Sequence, residues 1–273
     1  MKLSIKEIFE ESALLYNKNF ECFMGFTVIY VSIRAFWIAL EIAFDAFRNL
    51  PTTSELITSM GSLFIFMLGV VVVMFIFGPR FLLAILVQIN SIVNEKPMKL
   101  EQSYMETKGK YWIALGCIIL VVLISELPIL ILFFFDLGNS FLELLISSIY
   151  VAAIYALFFM LLPVIALSKN TKGYIGRAVK LIRGNYLKVL FWYILTTSLL
   201  YFAYVTVEIE LLEISSRIVV GIIYLLALLF IFPFSQVVRV VIYRKLADEN
   251  EPEVGQEMVE GYIITEQHDF EEE

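Results

Sequence analysis

Six apolar segments dominate this chain, near residues 21–46, 56–78, 111–135, 141–165, 187–211 and 218–243. Each exceeds the roughly 20 residues that an α-helix needs to cross a bilayer. Inside hydrocarbon no water satisfies backbone N–H and C=O groups, so such segments are stable there only as helices. The pattern predicts an all-α, polytopic membrane protein with six transmembrane helices. Composition agrees, because 60% of the 273 residues are hydrophobic and only 17% are charged, which lies outside the range of soluble domains. The second segment runs on past Gly78-Pro79 as a further apolar helix over 80–94. Proline removes a backbone donor at that point. Residues 80–94 are therefore expected either to bend along the membrane surface or to project into the cytoplasm.

The net charge of −7 conceals an uneven distribution, since residues 248–273 hold eleven of the 27 acids and no Lys or Arg. Residues 1–245 form the expected transmembrane domain, and 246–273 an acidic, disordered cytoplasmic tail. Within the tail the short run Gly261-Tyr262-Ile263-Ile264 is a candidate docking motif. Basic residues set the orientation. Lys2, Lys6 and Lys18 precede the first segment; Lys96, Lys99, Lys108 and Lys110 lie between the second and third. Lys169, Lys172, Arg177, Lys180, Arg183 and Lys188 surround the loop between the fourth and fifth, and Arg244 and Lys245 follow the sixth. The alternate connections carry only Arg48 and Arg217. The positive-inside rule then places both termini and both long loops in the cytoplasm of a cell-membrane protein. Glu7, Glu10 and Glu11 interrupt the N-terminus before any apolar core, so the first span is expected to act as the insertion signal.

The chain also repeats. Three odd-numbered spans open on an aromatic residue after a polar turn: Asn17-Lys18-Asn19-Phe20, Lys108-Gly109-Lys110-Tyr111 and Arg183-Gly184-Asn185-Tyr186. Eight residues before each aromatic stand Ser12, Ser103 and Ala178; eleven before stand Phe9, Leu100 and Ile175. Each returning span carries a proline toward its inner end, at Pro79, Pro163 and Pro233. The expectation is three parallel helix–hairpin units, about 1–95, 96–169 and 170–245, each opened by an interfacial amphipathic helix. Gly109, Gly184 and Asn17 or Asn19 are expected to end those helices in a left-handed conformation.

The segment Leu162-Pro163, with Ala166 and Ser168, followed by Ala178-Val179-Lys180-Leu181-Ile182-Arg183-Gly184-Asn185-Tyr186, resembles the membrane domain of bacterial glycerophosphoryl diester phosphodiesterases and its stand-alone relatives. Ile92-Val93-Asn94-Glu95-Lys96 and Lys108-Gly109-Lys110-Tyr111-Trp112 resemble another part of that domain. The likeness covers about residues 1–245. It implies a six-span membrane fold. It does not imply the phosphodiesterase activity, which in that family belongs to a separate soluble domain absent from this sequence.

Charged side chains inside spans are costly, on the order of 2.5–3.5 kcal/mol at mid-depth, and so mark candidate sites. Arg34 and Glu126 lie fourteen and fifteen residues beyond Phe20 and Tyr111. Both are expected near the bilayer middle, facing the bundle interior and within reach of each other, either as a packing pair or as a polar site in a cavity. Arg80 and Arg239 follow Pro79 and Pro233 and are expected to reach lipid phosphate. Lys172, Arg177, Lys180, Arg183 and Lys188 lie on a loop helix whose apolar residues Ile175, Ala178, Val179, Ile182 and Tyr186 share helical spacing. These cations are expected to meet anionic headgroups on the cytoplasmic side, each contributing about 1 kcal/mol.

Catalytic patterns are absent from the sequence. His268 is the single histidine, which excludes a histidine-based triad or a His-rich zinc site. Cys22 and Cys117 fall near the starts of apolar segments, where cysteine behaves as a small hydrophobe. There is no phosphate-binding glycine loop, and no basic surface suited to nucleic acid. No cofactor or metal is expected. The sequence points to a non-enzymatic integral membrane protein acting as a scaffold, accessory or lipid-interacting factor. Its partners would be membrane lipids, or a protein meeting the loop helices or the acidic tail. The alternative is a small transporter or lipid-handling carrier using a polar intramembrane site around Arg34 and Glu126.

Overall fold

The computed structural model describes residues 4–48, 54–134, 141–168, 173–196 and 214–250. Among them the fold is all-helical. The helices are α1 (Ile5–Lys18), α2 (Phe20–Arg48), α3 (Ser54–Val93), α4 (Leu100–Glu106), α5 (Tyr111–Phe134), α6 (Phe141–Leu167), α7 (Tyr174–Ile182), α8 (Tyr186–Thr196) and α9 (Ile214–Asn250). A 3₁₀ turn, Lys108–Lys110, leads into α5. Five of these elements contain stretches long and apolar enough to cross a membrane: Phe20–Leu40, Ile76–Val93, Lys108–Ser125, Ile149–Leu167 and Ile218–Ala247. The segment expected over 187–211 begins in α8, and its later part lies outside the described residues, as does the tail from 251 onward.

The outward faces of the long helices are apolar. Val28, Phe66, Val72, Leu123, Ile149, Phe191, Ile223 and Phe230 are all exposed. A soluble fold would leave so continuous an apolar exterior in water; a bilayer solvates it.

The protein core lies where α3, α6 and α9 pack against one another. Leu83, Ile85, Leu86 and Ile89 of α3 are fully buried there, with Met160 and Ile165 of α6 and Val237, Val240 and Ile242 of α9. All three helices continue unbroken past Pro79, Pro163 and Pro233, and in each the residues beyond the proline supply much of this core. Residues 80–94, expected to bend along the surface or project into the cytoplasm, thus continue α3 as far as Val93 and are covered by protein. Those residues carry as much hydrophobicity as a membrane-facing stretch, but they spend it on protein contacts. Some buried hydroxyls are bonded back to their own helices, as in Thr27 to the Phe23 carbonyl (2.7 Å), Ser91 to Gln88 (2.7 Å) and Ser235 to Phe232 (2.7 Å).

Around this trio the short helices dock in order: α1 on α9, α4 on α3 and α7 on α6. Ser12 and Ser103 are fully buried and Ala178 nearly so, the three positions that stand eight residues before the aligned aromatics. Each short helix meets its following span through a different turn. Gly184 adopts φ 87°, the left-handed conformation expected of it, and Gly173 opens α7 at φ 73°. Gly109 instead sits in the 3₁₀ turn, and Asn19 ends α1 at φ −121°. Here the backbone and side-chain amides of Asn19 both donate to the Leu15 carbonyl, at 3.1 and 3.0 Å, so no left-handed residue is required. The single described non-glycine residue with positive φ is Glu95, at 60°, which ends α3 while Lys96 N–H donates to the Ser91 carbonyl.

The apolar face of α7 is rotated from its expected position. Tyr174, Ala178, Leu181 and Ile182 are buried, whereas Ile175 and Val179 stay exposed beside Lys180 and Arg183. Tyr174 and Leu181 stand seven residues apart, two helical turns, and so complete the stripe with Ala178. α8 then leans on α6 through Tyr186, whose hydroxyl donates to the Ala153 carbonyl at 2.9 Å, and through a stacked Tyr155–Tyr193 pair.

Candidate functional site

Helices α2 and α3 separate to leave a groove of about 1200 Å³, closed at one end by α4. Helical spacing forms its walls. Ile29, Ile33 and Phe36 of α2 recur at intervals of four and three; Ile65, Gly69, Phe77 and Phe81 line the α3 side; Leu100 and Tyr104 of α4 form the floor. From Ile65 to Leu82 the α3 wall extends about 25 Å at 1.5 Å per residue. Phe36 and Phe66 meet edge to face at 5.9 Å, so α2 and α3 touch at the end away from α4. Ile29, Phe36, Ile65, Phe66 and Phe77 are themselves exposed, so the groove opens on the outside of the bundle.

Two glycines make room in this wall. A Cβ built on Gly69 or Gly78 would meet nothing within 4 Å. The polar groups are few. Arg34 lines the groove near its Phe36 end, and its Nε donates to the Tyr30 hydroxyl at 3.3 Å. The Tyr30 ring lies flat on Phe232 of α9 at 3.7 Å, fixing the hydroxyl that Arg34 uses. Glu101 stands at the opposite end, on α4. That floor is secured by Arg80, whose guanidinium donates to the Tyr104 carbonyl from Nε at 3.0 Å and from Nη2 at 2.8 Å while lying 3.9 Å from the ring centre. Met98 N–H to Ser91 Oγ (3.0 Å) ties the approach to α4 back onto α3.

The other sequence-derived candidates scatter. Glu126 belongs to α5, but its side chain lies outside the described residues, as does Lys172. The main neighbours of α2 are α9 and α3, and those of α5 are α6 and α3. Arg177 donates to Ser168 Oγ at 2.6 Å, joining α7 to the end of α6. Lys180 and Arg183 are exposed, and Lys188 is half-buried. Arg239 turns inward, 4.5 Å from the Phe159 ring centre and 3.3 Å from Gln236 Oε1. Arg80 and Arg239 are thus both engaged by protein groups. Burial raises the Tyr174 phenol above its ordinary range, with the Arg177 charge drawing it partly back.

Tyr30, Gly69, Glu101 and Tyr104 join Arg34 at the groove without having been singled out in the sequence. Tyr30 stands one helical turn before Arg34, the one spacing that could have flagged it. Among the described residues no group of His, Cys, Asp and Glu is placed to hold a metal. Comparison with protein families, with curated proteins and with solved structures returned no match.

Proposed function

We propose that this chain is a six-span protein of the cytoplasmic membrane that acts without catalysis as a lipid-interacting accessory factor. Both termini are cytoplasmic in this reading. The chain is built from three parallel helix–hairpin units and is related to the membrane domain of the glycerophosphoryl diester phosphodiesterases. The recurring arrangement supports the repeat. Each short helix docks on the last long helix of the unit before it, with α9 serving as predecessor to α1. The observation that carries the function is the apolar groove between α2 and α3, which opens laterally on the bundle's outer surface, where acyl chains would lie.

The carrier reading draws support from Arg34 lining that groove. The filled core of α3, α6 and α9 favours the accessory role, since it leaves the inner halves of those helices occupied by side chains.

Two measurements test the proposal. An Ile175→Cys variant should resist membrane-impermeant thiol reagents applied outside intact cells and react once the cells are opened. Ile175 is exposed on the protein surface. Protein purified in mild detergent should carry stoichiometric lipid by native mass spectrometry. Labelling from outside would overturn the orientation, and lipid-free protein under gentle extraction would overturn the lipid-interacting role.

A further inference from the structure

We infer that the groove between α2 and α3 selects an inner-leaflet phospholipid bearing a primary amine, with the ammonium at Glu101 and an acyl chain running away from α4 toward Phe36 and Phe66. This rests on the lipid-interacting role proposed above and names the lipid class.

Charge and position supply the argument. Glu101 is the acid that lines the groove, and it does so at the end formed by α4. Its side chain is exposed, and among the described residues it has no hydrogen-bond or ion-pair partner. Arg34, the other charged residue of the lining, is already engaged by Tyr30 and by a further protein contact, so it is assigned no ligand. α4 marks a boundary between water and hydrocarbon. Glu101 and Gln102 are exposed on it beside an exposed Met105, and Trp112 at the start of α5 is exposed as well; tryptophan gathers at such interfaces. In the orientation proposed above this boundary is the cytoplasmic one, so a head at α4 lies level with the heads of the surrounding inner leaflet. From Gly78 to Gly69 the α3 wall rises about 13 Å at 1.5 Å per residue. One leaflet contributes about 15 Å of hydrocarbon, so a chain that starts beside α4 reaches Gly69 as its neighbours reach the bilayer middle. Phe77 and Phe81 line this path on α3 and Ile29 and Ile33 face them from α2, all apolar. Farther on, the Phe36–Phe66 contact brings the two helices together. The free carboxylate then decides the head. An ammonium brings a positive charge and three N–H donors, and charge-assisted hydrogen bonds to a carboxylate are the strong kind. A choline head keeps the charge without a donor. A glycerol head leaves the phosphate charge uncompensated, and Glu101 repels it.

The test uses the full chain in mild detergent, with dioleoyl phosphatidylethanolamine, phosphatidylcholine and phosphatidylglycerol offered in equal amounts and adducts counted by native mass spectrometry. The wild type should favour the ethanolamine lipid over the other two by about fivefold, the upper range for an exposed ion pair. Glu101→Gln should lose that preference, and Glu101→Lys should reverse it toward the glycerol lipid. Both changes fall on an exposed side chain without partners, so the variants should melt like the wild type. A phosphatidylethanolamine carrying a diazirine midway along one chain locates the tail without any substitution: after irradiation the label should lie in peptides covering 65–82 or 29–36. Equal uptake of the choline lipid, label outside those peptides, or an unchanged preference in Glu101→Lys would each overturn the inference while leaving a lipid-interacting protein. A wild type that retains none of the three lipids would overturn the inference together with the reading beneath it.

Discussion

Arg80 and Tyr104 are joined twice: the guanidinium lies over the tyrosine ring and donates two hydrogen bonds to that residue's own carbonyl. One side chain from the middle of a long helix therefore fixes both the face and the last turn of α4. The carbonyl it meets is near a helix C-terminus, where positive charge is favoured.

Arg80→Lys keeps the charge but loses the planar fork and the stacking. We expect it to destabilise the protein by about 1.5–3 kcal/mol, the range for charge-assisted hydrogen bonds. Thermal unfolding in detergent reads the loss, and proteolysis near residues 94–106 should become faster than in the wild type.

Lys110 performs a related task at another helix end. Its ammonium donates to the carbonyls of Ala166 at 2.7 Å and Ser168 at 3.1 Å, where α6 terminates. Lys110→Met keeps the length of the side chain and removes the donor. A loss of about 2–3 kcal/mol is expected, read as a lower melting midpoint, and hydrogen exchange at residues 165–168 should rise most.

Glu95 holds a left-handed conformation that a side chain disfavours by about 1–2 kcal/mol. Glu95→Gly should relieve that cost and raise the melting midpoint, despite the greater freedom of glycine in the unfolded chain. Glu95→Val, β-branched at the same φ, should lower it.

Burial raises the Glu106 carboxyl above the usual glutamate range, and Lys110 draws it partly back. A folded-state value above the unfolded one means that folding favours the protonated acid. Stability therefore falls as pH rises through the window between the ordinary value and the raised one, and the loss is complete above that window. Glu106→Gln cannot ionise, so it should melt higher than the wild type above the window and match it below. The side chain keeps much of its exposure, so the difference should be small; a series of melts from pH 4 to pH 8 would reveal it.

The sequence carried the elements well, because hydropathy reports helices that must hide their backbone. The prolines, the short helices before α2, α5 and α8, and the burial of Ser12, Ser103 and Ala178 all follow a register visible in the letters. Hydropathy does not distinguish lipid from protein as the apolar neighbour. Leu83 and Ile85 face a core while Ile65 and Phe66 face outward, and the four have similar side chains. For the same reason Arg239 reads as a headgroup ligand until Phe159, eighty residues earlier, is found beneath it. Arg34 was legible as a charge in a costly place. Its groove was not, because a space arises from the angle between two helices and from side chains that are missing, as at Gly69 and Gly78.

The docking of α1 and α2 on α9 has a consequence for biosynthesis. Among the described helices, α1 and α2 find their main neighbour only once α9 has been made. Until then Glu11 lacks Lys245, which it meets at 2.8 Å, and Tyr16 lacks the Phe234 ring. A nascent chain halted before residue 230 would leave the sides of α1 and α2 that face α9 uncovered, a natural handle for the proteases that police unfinished proteins.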